Sequence, residues 1–177
     1  MNIPNILTIF RFILIPVFIY FFFANIEGNI LYATYVFILA GITDVLDGYI
    51  ARKYNLVTKW GQAMDPLADK MMQITVLACF TIKKFLPIWV IIIIGIKELL
   101  MIAGGLFLYY KRNKVVVPAN RYGKIATISF YGAMLYLIFG LPYSIVPVIF
   151  AIILTLLALA NYVLNFKVVN KKSSAQS

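Results

Sequence analysis

Two short segments, Asp44-Val45-Leu46-Asp47-Gly48-Tyr49-Ile50-Ala51-Arg52 and Gly61-Gln62-Ala63-Met64-Asp65-Pro66-Leu67-Ala68-Asp69, hold four of the six acidic residues in this chain of 177. The other two are Glu27 and Glu98. Each segment adjoins a long apolar run. Asp44 and Asp47 are three apart, and Asp65 and Asp69 four apart, so each pair shares one face of a helix. Two such helix ends joined by a short loop present four carboxylates to one cavity. Gly48 and Ala51 continue the Asp44 face and leave it shallow, so a ligand can approach the backbone. Pro66 interrupts helical hydrogen bonding and frees backbone groups on that side.

The surroundings of these segments set the fold class. Hydrophobic residues make up 63% of the chain, and its mean hydropathy is +0.94. A soluble domain of this size cannot hide that much apolar surface. Apolar stretches recur at the length a helix needs to cross hydrocarbon, at roughly 5–24, 30–51, 61–82, 87–110, 122–140 and 143–165. The expectation is an all-α, polytopic membrane protein of six transmembrane helices, with its active-site cavity on the cytoplasmic side. The first apolar run is read as the first span and not as a removable signal. Residues 1–166 form one membrane domain, and 167–177 a polar, frayed tail.

Basic residues give the orientation. Arg52, Lys53 and Lys59 follow the second run, Lys111, Arg112, Lys114, Arg121 and Lys124 lie in or beside the fourth loop, and Lys167, Lys171 and Lys172 follow the last run. Arg11 lies near the amino end. The positive-inside rule places both termini and these loops in the cytoplasm, with Lys83 and Lys84 as exceptions on the outer side. The net charge of +10 therefore reads as membrane topology and attraction to anionic headgroups, not as a nucleic-acid surface.

Four ionised carboxylates at a membrane boundary repel one another and are costly to keep. The few basic side chains nearby point to metal ions as the main neutraliser. Histidine is absent and Cys79 is the single cysteine. Any metal must rest on oxygen ligands, which favours magnesium, manganese or calcium over zinc. Cys79 reads as a small buried thiol. From these residues alone, a cation pathway through a transporter is the alternative to an enzyme.

The pattern D-x-x-D-G-x-x-A-R, eight residues, then G-x3-D-x3-D resembles the signature of the CDP-alcohol phosphotransferases, and all eight fixed positions match. The opening Met1-Asn2-Ile3-Pro4-Asn5-Ile6-Leu7-Thr8-Ile9-Phe10-Arg11-Phe12-Ile13-Leu14-Ile15-Pro16 is similar to that of the bacterial phosphatidylglycerophosphate synthase subgroup, as is Asp65-Pro66-Leu67-Ala68-Asp69-Lys70. Two departures from the subgroup are Ala126, where it carries a second lysine, and Lys97-Glu98, where it carries Arg-Glu.

The resemblance implies transfer of a phosphatidyl group from CDP-diacylglycerol to glycerol 3-phosphate with release of CMP. A cardiolipin synthase using the same donor is the alternative within the family. It implies two divalent ions, Mg²⁺ or Mn²⁺, on Asp44, Asp47, Asp65 and Asp69, with Asp69 as general base. Asp44, Gly48, Ala51, Arg52 and Gly61 would receive the cytidine diphosphate part. Arg121, Lys124 and Lys97 would seat the acceptor phosphate. Lys97 and Glu98 diverge by about 100° around a helix, so each is expected to find a partner elsewhere. The resemblance further implies a homodimer in the plasma membrane.

Overall fold

The structure is a computed structural model. It describes residues 2–111 and 121–174, with side chains at 2–58, 60–61, 64–101, 103, 123 and 125–161. Six helices follow in order: α1 (Ile3–Phe23), α2 (Asn29–Lys53), α3 (Lys59–Ile82), α4 (Ile88–Lys111), α5 (Arg121–Ile138) and α6 (Ile145–Ser174). No strand occurs among the described residues. The all-α expectation holds, and each helix lies on one of the six apolar runs. α1 and α2 are long and apolar enough to cross a membrane.

Two boundaries differ from the sequence reading in ways that matter. Arg52 and Lys53 form the last turn of α2 instead of beginning the loop. At the other end, α6 continues to Ser174, past the point where a frayed tail is expected. Leaving the apolar zone does not end a helix: Lys propagates helices well, and extension costs far less than nucleation.

The chain divides into two compact units, Met1–Pro87 and Ile88–Ser177. In the first, α1 packs on both α2 and α3. Its centre is aromatic. Phe18 stacks on Phe22 with centroids 5.5 Å apart, and Phe22 meets Phe80 of α3 at 5.0 Å. Phe37 of α2 tilts against Phe18 at 6.4 Å. All four rings are buried, and such pairs add to plain area burial. Cys79 is buried in the same unit, as its apolar setting predicts.

The α1–α2 corner uses Gly28 at φ 75° as the residue before α2, a conformation that favours glycine. Asn29 Nδ2 then donates to the carbonyls of Phe22 and Ala24 at 3.2 and 3.1 Å. Lys83 Nζ donates to the Phe22 carbonyl at 2.6 Å and lies 4.7 Å from the Phe22 ring centre. A cation thus sits on the carbonyl end of α1, where the helix dipole favours it.

In the second unit α6 packs against α5 and α4. Ala126, Phe130, Ala133 and Met134 on α5 are buried, as are Ala151 and Ala158 on α6. Small residues at helical spacing let two backbones approach closely. In both units many large apolar side chains face outward, among them Ile13, Tyr20, Val45, Ile128 and Phe150. An outer surface of that kind suits lipid and not water.

Candidate active site

The site grows from α1, a helix the signature does not include. Within its apolar run, Asn5, Thr8 and Arg11 are polar residues spaced three apart, so they form a strip along one side. Each grips a different part of the signature.

Arg11 is fully buried. Its guanidinium spans the α2 pair, Nη1 on Asp44 Oδ1 and Nη2 on Asp47 Oδ2. The Asp47 side chain is 3% exposed, whereas Asp44 is 38% exposed and opens outward. The spacing of three brings both carboxylates to one side of α2, within the span of a single planar fork. Arg11 therefore does more than mark topology near the amino end. It directly offsets part of the charge of the acid cluster.

Thr8 stands between the Pro4 carbonyl, 3.0 Å away, and Asp65 Oδ1, and its hydroxyl can donate to either. Asn5 Oδ1 accepts from the Thr58 hydroxyl at 3.0 Å. That hydroxyl in turn accepts from Gly61 N at 2.9 Å and caps α3, satisfying a backbone donor that the helix leaves open. The second half of the signature is thus started by Thr58 and tied to α1 at two points. Pro66 lies inside α3 without ending it.

The remaining signature residues fall around this frame. The charges of Asp65 and Asp69 act on Asp44, and that of Asp65 acts on Asp47. The four acids therefore belong to one electrostatic cluster. No group of three or more acidic, cysteine or histidine side chains among the described residues is drawn together as a ligand set. Instead Arg11 holds one oxygen each of Asp44 and Asp47. The donor chemistry suits a hard divalent cation: carboxylate oxygens, with neither imidazole nor thiolate.

Arg52 lies back over Gly48. A β-carbon at position 48 would meet Nη1 at 3.3 Å and Nη2 at 3.4 Å. Ala51 is half-buried beside it. At Gly61, a β-carbon would come within 3.1 Å of both Asn5 Oδ1 and Thr58 Oγ1. A side chain at 61 would crowd the cap of α3.

Lys97 and Glu98 lie on α4 in the second unit, both buried, and they pair with each other at 2.5 Å. Each also makes a further interaction beyond this pair. Their Cβ directions diverge, but long side chains can still curl together along the helix. Arg121 and Lys124 fall in the first turn of α5, and their side chains lie outside the described residues.

Sequence reasoning missed Asn5, Thr8 and Arg11 as site residues. Their signal was present as a regular polar strip, including one arginine, inside an otherwise apolar helix.

A family model for CDP-alcohol phosphatidyltransferases matches residues 1–164. The chain is 40% identical over 139 residues to the CDP-diacylglycerol–glycerol-3-phosphate 3-phosphatidyltransferase of Rickettsia felis, covering 78% of this chain and 76% of the relative. It is 35% identical over 163 residues to the Bacillus subtilis protein of the same name, covering 85% and 83%. For the Aquifex aeolicus protein of that name the figures are 34% over 131 residues, with 72% and 70% covered. With the matched span reaching across both units and including all eight signature positions, the chain belongs to the CDP-alcohol phosphatidyltransferase family.

Proposed function

We propose that this protein is a membrane transferase of phospholipid synthesis. It moves a phosphatidyl group from CDP-diacylglycerol to glycerol 3-phosphate and releases CMP. The similarity to transferases of that name over more than three quarters of the chain carries the reading. The acid cluster on α2 and α3 supplies the chemistry.

The acceptor hydroxyl oxygen forms a new bond to the lipid-side phosphorus. The bond from that phosphorus to the bridging oxygen breaks, and CMP leaves with the electron pair. Asp69 takes the hydroxyl proton. Asp44, Asp47, Asp65 and Asp69 would hold two divalent ions, Mg²⁺ or Mn²⁺. Such ions neutralise the charge that builds on the diphosphate oxygens. Arg52, lying over Gly48, offers a forked donor to phosphate, and Gly48 and Ala51 leave room for the nucleotide. Gly61 borders the same place and keeps the α3 cap closed. Arg121, Lys124 and Lys97 are assigned to the acceptor phosphate.

Residues 1–166 work as one catalytic domain with six spans, both termini in the cytoplasm and the cavity facing that side. The basic residues after the second, fourth and sixth runs support that orientation. We assign the protein to the plasma membrane as a homodimer on family resemblance. A cation pathway is disfavoured, because the acids gather at one pair of helix ends.

The test is CMP release by purified protein in detergent or nanodiscs with CDP-diacylglycerol and Mg²⁺ or Mn²⁺. Glycerol 3-phosphate and phosphatidylglycerol serve as alternative acceptors. Turnover with glycerol 3-phosphate supports the assignment. Turnover with phosphatidylglycerol alone makes the protein a cardiolipin synthase, and no CMP with any alcohol removes the enzyme reading.

A further inference from the structure

Arg11 has a cost that ordinary packing does not repay. Its side chain is fully buried on a helix whose other residues carry no charge. Its Nε has no hydrogen-bond partner among the described residues, and an unpaired buried donor is unfavourable. What the residue gains is Asp44 and Asp47, one on each Nη. These are two of the carboxylates assigned above to the divalent ions.

We infer that Arg11 is a positioning residue acting as the resident counter-ion of the α2 carboxylate pair. It holds Asp44 and Asp47 in register while no divalent ion is bound, and it competes with the incoming ion for their charge. Three observations carry this. Arg11 is buried, so its charge is poorly screened. The contact is forked, so one side chain fixes the relative position of two ligands. Asp44 remains partly open while Asp47 is closed, which leaves an ion one accessible edge of the pair. Four carboxylates bear four negative charges, and Arg11 cancels one of them. Without it, the empty site would set its acids against one another in a low-dielectric environment. The inference rests on the proposed metal-dependent reaction, although its test does not require turnover.

The test is a linkage experiment on intact protein in detergent. Mn²⁺ affinity is read from the electron paramagnetic resonance signal of free Mn²⁺, without substrate. Melting temperature is read in EDTA and in saturating Mn²⁺. Arg11→Gln should bind Mn²⁺ about tenfold more tightly, since a nearby positive charge has been removed. It should melt well below wild type in EDTA and recover most of the difference in Mn²⁺.

Arg11→Lys keeps the charge but lacks the planar fork that fixes two carboxylates in register, and its affinity should fall between the two. If Arg11→Gln does not accumulate, Arg11→Lys decides, and an affinity equal to or weaker than wild type overturns the inference. Equal loss of melting temperature with and without Mn²⁺ would make Arg11 an ordinary structural residue. So would an unchanged or weaker Mn²⁺ affinity in Arg11→Gln. Wild type that binds no Mn²⁺ overturns the inference as well. The two readings fail separately: linkage without CMP release removes the proposed function, and CMP release without linkage removes the counter-ion.

Discussion

Arg52 rests on Gly48 one helical turn before it, with guanidinium nitrogens 3.3 and 3.4 Å from the place a β-carbon would take. The glycine leaves room for its neighbour's side chain, while its own backbone is ordinary helix. Gly48→Ala should therefore separate stability from activity. Alanine gains roughly 0.5–1 kcal/mol in a helix interior, so the melting temperature should hold or rise. The displaced Arg52 should raise KM for CDP-diacylglycerol about tenfold, the scale of one weakened charged hydrogen bond. A steady-state assay beside a thermal melt checks both signs. A fall in stability with KM unchanged would contradict this account.

The cap on α3 is a separate unit. Thr58 receives Gly61 N and donates to Asn5. Thr58→Ala should cost about 1 kcal/mol, the usual value of a lost N-cap, and Thr58→Ser should restore it. Thr58→Ala and Asn5→Ala should be strongly non-additive, because they remove opposite ends of one bond. Denaturation of wild type, the three single variants and the double alanine variant in one detergent supplies the comparison.

Two aspartates should behave differently when converted to asparagine. Asp69→Asn should lower CMP release about 10²–10⁴-fold, the range for loss of a general base, with little change in folding. Asp47 is buried against Arg11. Asp47→Asn should lose activity and also cost about 3 kcal/mol, since it leaves a buried cation half-compensated. Turnover surviving in Asp69→Asn would remove the base role assigned to it.

Chelation gives a direct check on the ions. EDTA should abolish CMP release, and added Mg²⁺ or Mn²⁺ should restore it without refolding. Circular dichroism should show the helices intact throughout, because the first unit is built on aromatic packing and on the contacts of α1. Activity undiminished in excess chelator would exclude the metal-dependent mechanism.

Lys83 breaks the charge asymmetry of the loops, and its contacts supply a reason. It ends α1 by bonding the Phe22 carbonyl at 2.6 Å while lying over that residue's ring. Lys83→Met should cost about 1 kcal/mol of stability and leave kcat and KM unchanged. A loss of activity with normal stability would assign the residue elsewhere.

Much of the architecture could be read in advance because the strongest patterns were local. Apolar runs broken at Asn25–Gly28, at Lys83-Lys84 and at Gly140–Pro142 located the helices. The spacings Asp44–Asp47 and Asp65–Asp69 located the acids on their faces. What escaped were choices of partner across the fold. Arg11 looks like any basic residue near a span end until α2 is packed beside it. The closeness of Gly61 to Asn5 and Thr58 shows only once α1 is packed beside α3. The pair between Lys97 and Glu98 was not foreseen, because flexible side chains choose by charge as well as by direction. The end of α6 was misjudged because polarity reports where lipid stops more reliably than where a helix stops.

The strip on α1 also bears on how such a chain is assembled. α1 precedes α2 along the chain, so during synthesis Arg11 is already available when Asp44 and Asp47 emerge. In a bilayer each acid can then enter beside a waiting cation instead of alone. The helix that supplies no signature residue becomes the escort for those that do, and lesions at its inner polar positions should be felt during insertion, before any substrate is met.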